Sequence, residues 1–163
     1  MKFRVGVWFV ITACGSTTPA WSPTPVLPPV FDQQIVLGQR VGPVSLGMTE
    51  QQLAAVDATA KKQPYGGERY GFLFDKLHIS AVVDGGVVVQ VAPTDGTYAT
   101  SSGMRVWAPL PANAMASAES KVQHGITSYC LPDHTMVTVT TDKAMPACPL
   151  GNVCDIVVGG CKP

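Results

Sequence analysis

Asp75-Lys76-Leu77-His78-Ile79-Ser80-Ala81-Val82-Val83-Asp84 lies over Asp133-His134-Thr135-Met136-Val137-Thr138-Val139-Thr140-Thr141-Asp142 at an offset of 58 residues. Both segments begin and end on Asp. In the first, Leu77, Ile79, Ala81 and Val83 share one face. In the second, Met136 and Thr138 oppose Val137 and Val139. Period-two alternation of this kind marks a strand with one buried face. The same strand is therefore met twice, as the middle of two similar sheets.

Working outward, the first copy begins at Gly38. Val41 to Met48 reads as a short extended piece with turn residues. Thr49 then caps a helix, with Gln52 as its capping-box partner. Leu53, Val56 and Ala60 fall on one helical face, and Pro64, Gly66 and Gly67 end the helix. Strands follow at 69–74, 77–83 and 87–91, with turns at Asp75-Lys76 and Asp84-Gly85-Gly86. The second copy begins near Gly103, where Met104-Arg105-Val106-Trp107 matches the extended piece. A helix is predicted over 112–123, with Met115, Ala118 and Val122 on one face. His124 sits at its C-terminal end and Gly125 at the C′ position. Strands follow at 126–131, 134–141 and 153–158. The predicted fold class is α+β: two tandem repeats, 38–98 and 99–163, each a helix plus a three-stranded antiparallel sheet, in one compact domain.

Gly42-Pro43-Val44-Ser45-Leu46-Gly47-Met48-Thr49-Glu50-Gln51-Gln52-Leu53 carries a family resemblance. It resembles the opening motif of small bacterial envelope domains. These include the small lipoprotein of the outer-membrane β-barrel assembly machinery and the tandem-repeat β-lactamase inhibitory proteins. The resemblance implies a helical segment against a small antiparallel sheet. The second copy departs from it, because Trp107-Ala108-Pro109 replaces Gly-Met-Thr. No binding residue of either relative carries over to a numbered position.

The N-terminal end points to export. Lys2 and Arg4 precede an uncharged run from Val5 to Ala13, and Ile11-Thr12-Ala13-Cys14 is the lipobox pattern of bacterial lipoprotein signal peptides. The run is too short to span a bilayer, which takes about 20 residues. The expectation is a signal peptide over 1–13 and a lipidated Cys14. The alternative is an ordinary secretory signal cut after Thr18-Pro19-Ala20. Gly15 after the cysteine favours, by resemblance to enterobacterial lipoproteins, an outer-membrane anchor facing the periplasm. Residues 14–37 form the anchor and a tether in which Pro19, Pro23, Pro25, Pro28 and Pro29 exclude helix and central strand. A polyproline-II spacer of this length reaches roughly 60 Å from the membrane.

Without Lys2 and Arg4 the chain carries nine basic and eleven acidic residues and no basic stripe, which argues against nucleic acid. Four cysteines remain beyond Cys14: Cys130, Cys148, Cys154 and Cys161. An even number in an exported chain reads as two disulfides with three possible connectivities. Zinc is the competing use, but no CxxC pair is present. Cys148–Cys154 with Cys130–Cys161 is the favoured pairing, because Cys148 and Cys154 flank a plausible hairpin loop. His78 reads as an outward mid-strand residue, His124 as a helix-end residue and His134 as a turn residue. They form no metal-ligand pair. No nucleophile elbow, Ser-x-x-Lys or phosphate loop is present. Asp75, Asp84, Asp133 and Asp142 suit turns for backbone reasons.

The expected function is a non-enzymatic interaction or structural module of the bacterial envelope. It would be held at the membrane by lipid on Cys14 and partnered by an envelope protein, with no metal and no cofactor. Tyr65, Tyr98 and Trp107 are the candidate partner contacts. The alternative is a periplasmic inhibitor of a hydrolase such as a lysozyme, protease or β-lactamase.

Overall fold

The computed structural model describes residues 32–116, 118–141 and 148–161. The signal peptide, Cys14 and the tether as far as residue 31 lie outside the described residues. The end of the segment read as tether is already folded. β1 (Gln34–Val36) pairs with β2 (Arg40–Val41), β2 with β3 (Val44–Ser45), and β1 runs parallel to β8 (Ala99–Thr100). The folded part therefore starts before Gly38, with Ile35 in the core.

Between β3 and the first large sheet lies α1 (Glu50–Val56). Its entry follows the predicted chemistry. Gln52 N donates to Thr49 Oγ1 at 3.3 Å, and Thr49 N donates to Gln52 Oε1 at 2.8 Å. Each satisfies an amide that the helix start leaves unpaired. Asp57 ends the helix early, so Ala60 is not on it.

The chain then runs as an antiparallel meander: β4 (Lys61–Gly66), β5 (Arg69–Phe74), β6 (Ile79–Asp84) and β7 (Val87–Pro93). Pro64 is compatible with β4 because β4 is an edge strand, where a missing N–H is tolerated. A second meander follows: β9 (Glu119–Gln123), β10 (Ile126–Cys130), β11 (Met136–Thr140) and β12 (Val153–Val157). The meanders meet at their last strands. Val91 N donates to the Val158 carbonyl at 3.0 Å, and Val158 N donates to the Val91 carbonyl at 2.8 Å. Gly159 beside this joint has φ +76°, and a Cβ there would collide with the Val89 carbonyl, so the close approach needs glycine.

This architecture corrects the α+β reading of two helix-plus-three-strand repeats. Among the described residues there is one short helix, with twelve strands in three four-stranded sheets. Each large sheet has a fourth strand that was not expected. In the first half it is β4, read as the end of the helix. In the second half it is β9, which takes the last five residues of the stretch read as helix 112–123, after turns at 112–116. Met115, Ala118 and Val122 do have helical spacing, but Val122 is 69% exposed and so does not mark a buried helix face. What decides the segment is the turn after it. His124 (φ +52°) and Gly125 (φ +75°) are both left-handed, and Gln123 pairs with Ile126 across them. Two consecutive left-handed residues make the two-residue hairpin turn whose twist matches the strands.

One face of both meanders is covered by the small sheet and α1. Leu53, Val41, Val44 and Ile35 share a core with Phe74, Ile79, Val83, Val137 and Ile156. Gly38 N, in the β1–β2 turn, donates to Thr135 Oγ1 of the second meander at 2.9 Å. Tyr98 belongs to this packing. It is 4% exposed, and its hydroxyl donates to the Leu77 carbonyl at 2.7 Å. A Cβ on Gly42, which has φ +51°, would lie 2.6 Å from Tyr98 Cε1. Gly42→Ala is therefore expected to cost about 2–4 kcal/mol, combining left-handed strain with overpacking. Tyr98→Phe, which loses one hydrogen bond, should cost about 1 kcal/mol. Urea unfolding of the two variants checks the order.

Candidate functional site

The opposite face of the meanders is open, and alternation decides which side chains stand on it. Phe74, Ile79 and Val91 point into the core. Their neighbours Gly71, Ser80, Val82, Gln90 and Ala92 stand on the other face. Gln63 pairs with Gly71, Gly71 with Val82, and Val82 with Gln90, so these four form one row across the sheet. At the far end Asp155 and Val157 flank the core residue Ile156, and Met136 pairs with Val157.

These residues enclose a cleft of about 310 Å³ lined by Gln63, Tyr65, Gly71, Ser80, Gln90, Met136 and Asp155, among others. Gly71 leaves room in the middle. The position its Cβ would take lies 3.4 Å from Gln63 Cγ and 3.6 Å from Tyr65 Cδ2, so both side chains lean over it. A second hollow of about 250 Å³ lies over the Cys130–Cys161 disulfide and shares Met136 with the first.

Asp155 differs from the other described aspartates and from Glu50. Asp32, Glu50, Asp75, Asp84 and Asp95 each face a Lys, Arg or His. Asp57 and Asp133 accept from backbone amides in turns. Among the described residues no cation pairs with Asp155. Burial pushes its carboxyl above the ordinary aspartate range, and the Ile156 N–H offsets part of that rise. A folded-state pKa above the unfolded value of 3.8 means the native form holds the proton more tightly. Stability from this group is thus full below that value and is lost as pH rises through the folded pKa. Asp155→Asn is expected to stabilise the chain at pH 7 and to do so less at pH 4. Urea midpoints at the two values read the difference.

Of the residues singled out from sequence, Tyr65 lines the cleft and is 56% exposed. Tyr98 is a core residue, which corrects its reading as a surface contact. Trp107 is 52% exposed but stands elsewhere, on the β8–β9 loop at φ +64°. Its N–H donates to the Val153 carbonyl at 2.7 Å, and its carbonyl accepts from Asn152 Nδ2 at 2.7 Å. That ties it to the loop closed by Cys148–Cys154, where Leu150 is 53% exposed. The cysteines form Cys130–Cys161 and Cys148–Cys154, with Cα atoms 6.0 and 5.6 Å apart.

His78 is not mid-strand. It takes the left-handed position of the β5–β6 turn (φ +52°), and its Nδ1 lies 3.1 Å from Asp95 Oδ2. His124 closes a hairpin and not a helix, and His134 takes the turn expected for it. Among the described residues no three His, Cys, Asp or Glu side chains gather as metal ligands.

The cleft residues Gln63, Ser80, Gln90 and Asp155 were not picked out from sequence. For Asp155 a signal was present: it sits inside an apolar strand, between Cys154 and Ile156, where Asp is disfavoured. Comparisons with protein-family models, with curated proteins and with solved structures find no match for this chain.

Proposed function

We propose that this chain is an exported, lipid-anchored binding module of the bacterial envelope that works without catalysis, and that its open sheet face receives an envelope protein. The cleft carries the reading. A concave site of about 310 Å³ with a few converging polar groups is what a recognition surface needs. The two disulfides support an oxidising compartment. They also use all four cysteines beyond Cys14, leaving the lipobox cysteine free for acylation. The Gly42–Leu53 motif, with its resemblance to envelope domains, supports the same placement.

Gly71→Val tests the reading, because its γ carbons would displace the Gln63 and Tyr65 side chains, which stand 3.4 and 3.6 Å from the Cβ position, and so reshape the cleft. The native protein, purified from membranes in detergent, should bring down a stable partner that Gly71→Val loses while its circular dichroism and cooperative unfolding show that it still folds. Unchanged recovery with Gly71→Val would contradict it.

Trp107 and Leu150 favour a second reading. Two exposed apolar side chains on mutually bonded loops, one of them disulfide-closed, suit a hydrolase inhibitor. Tight 1:1 association with a soluble hydrolase, with loss of its activity and dependence on Trp107, would replace the first reading.

A further inference from the structure

Resting on the binding-module reading, we propose that the cleft takes the guanidinium group of an arginine side chain presented by the protein partner, paired with the carboxylate of Asp155. Three observations converge on that group. The first is the carboxylate itself: a strand aspartate, partly withdrawn from water, with no cation facing it among the described residues and only the Ile156 amide to offset its burial. Such a charge is stabilised by an incoming cation with hydrogen bonds in matching geometry.

The second is the polar lining. Gln63 and Gln90 each offer a carbonyl oxygen, and Ser80 offers a hydroxyl, on the same open face. A guanidinium has five N–H donors in a planar fork, so two can meet Asp155 while others reach these acceptors. An ammonium has three donors and a charge that is readily lost on desolvation, whereas arginine keeps its charge. The third is the aromatic rim. Tyr65 leans over Gly71 at the cleft edge, where its ring can stack on a planar cation. At about 310 Å³ the space is at the low end of ligand sites, which suits one side chain better than a large ligand.

Titration of the full chain carrying Cys14→Ser with N-acetyl-arginine amide, followed by amide NMR, tests the proposal. Saturable shifts are expected at Gly71, Gln90 and Asp155. N-acetyl-citrulline amide, with the same shape and no charge, should bind at least about tenfold more weakly. Asp155→Asn should remove that preference. Equal binding of the two probes, no binding of either, or shifts confined to other surfaces would overturn the proposal. The two readings fail separately. If partner recovery is lost with Gly71→Val but untouched by Asp155→Asn, the arginine pairing is wrong and the module stands. If the arginine probe binds through Asp155 while partner recovery ignores both variants, the cleft chemistry stands and the module reading fails.

Discussion

Cys14→Ser is expected to abolish acyl labelling and move the protein from the detergent phase to the aqueous phase. The effect should be close to all-or-none. Each buried methylene contributes about 0.8 kcal/mol, so several acyl chains on one cysteine hold a protein to a bilayer almost irreversibly. Among the described residues no helix is long and apolar enough to cross a membrane. Labelling with radioactive palmitate and phase partitioning read the result together. Labelling that survives the substitution would refute the lipobox reading. Loss of labelling without change in folded-state stability would show that the anchor and the β domain are independent.

The second large effect concerns the staples. Cys130–Cys161 spans 31 residues and Cys148–Cys154 spans 6. If each bridge acts by restricting the unfolded chain, the longer loop contributes about 3.7 kcal/mol and the shorter about 2.2 kcal/mol. The Cys130→Ala, Cys161→Ala pair should therefore lower the melting temperature by about 10 °C or more, and the Cys148→Ala, Cys154→Ala pair by less. Thr140 narrows the gap. Its hydroxyl lies 3.0 Å from both Cys148 Sγ and Cys154 Sγ, so removing that bridge also loses buried packing. Calorimetry under non-reducing conditions gives the order. A larger loss for the short bridge would mean that packing at Thr140 outweighs loop entropy.

Strands were more legible than helices in this sequence, for a physical reason. β5, β6, β7, β10, β11 and β12 are each bracketed by turn residues and carry a core face, so period and punctuation agree. α1 was legible from its capping box and from Leu53 and Val56 on one face. β4 and β9 were not, because both are edge strands with no buried residue and so carry no hydrophobic alternation. Their positions follow from the unpaired backbone of β5 and β10 next to them, which a local reading does not contain. Helical spacing at Met115, Ala118 and Val122 then filled the gap wrongly. Gln123-His124-Gly125-Ile126 was the available signal, since histidine is among the non-glycine residues that more often adopt positive φ.

The candidate site was legible only at Tyr65. A cleft on an open sheet face depends on which strands are neighbours, and β7 meets β12 across more than sixty residues of sequence. Asp155 reaches the same cleft as Gln63 only through that joint. Tyr98 misled because a tyrosine in a loop reads as exposed. Here the loop folds its ring against Gly42, which has no side chain to keep it out.

A photo-crosslinking residue placed at Gln63 in living cells, and separately at the exposed turn residue Lys76, asks most directly whether the open face is the working surface. A single discrete adduct with an envelope protein from Gln63, absent from Lys76 and lost when Gly71→Val is added, is the predicted result. Equal adducts at both positions, or none at Gln63 while position 107 crosslinks efficiently, would contradict it.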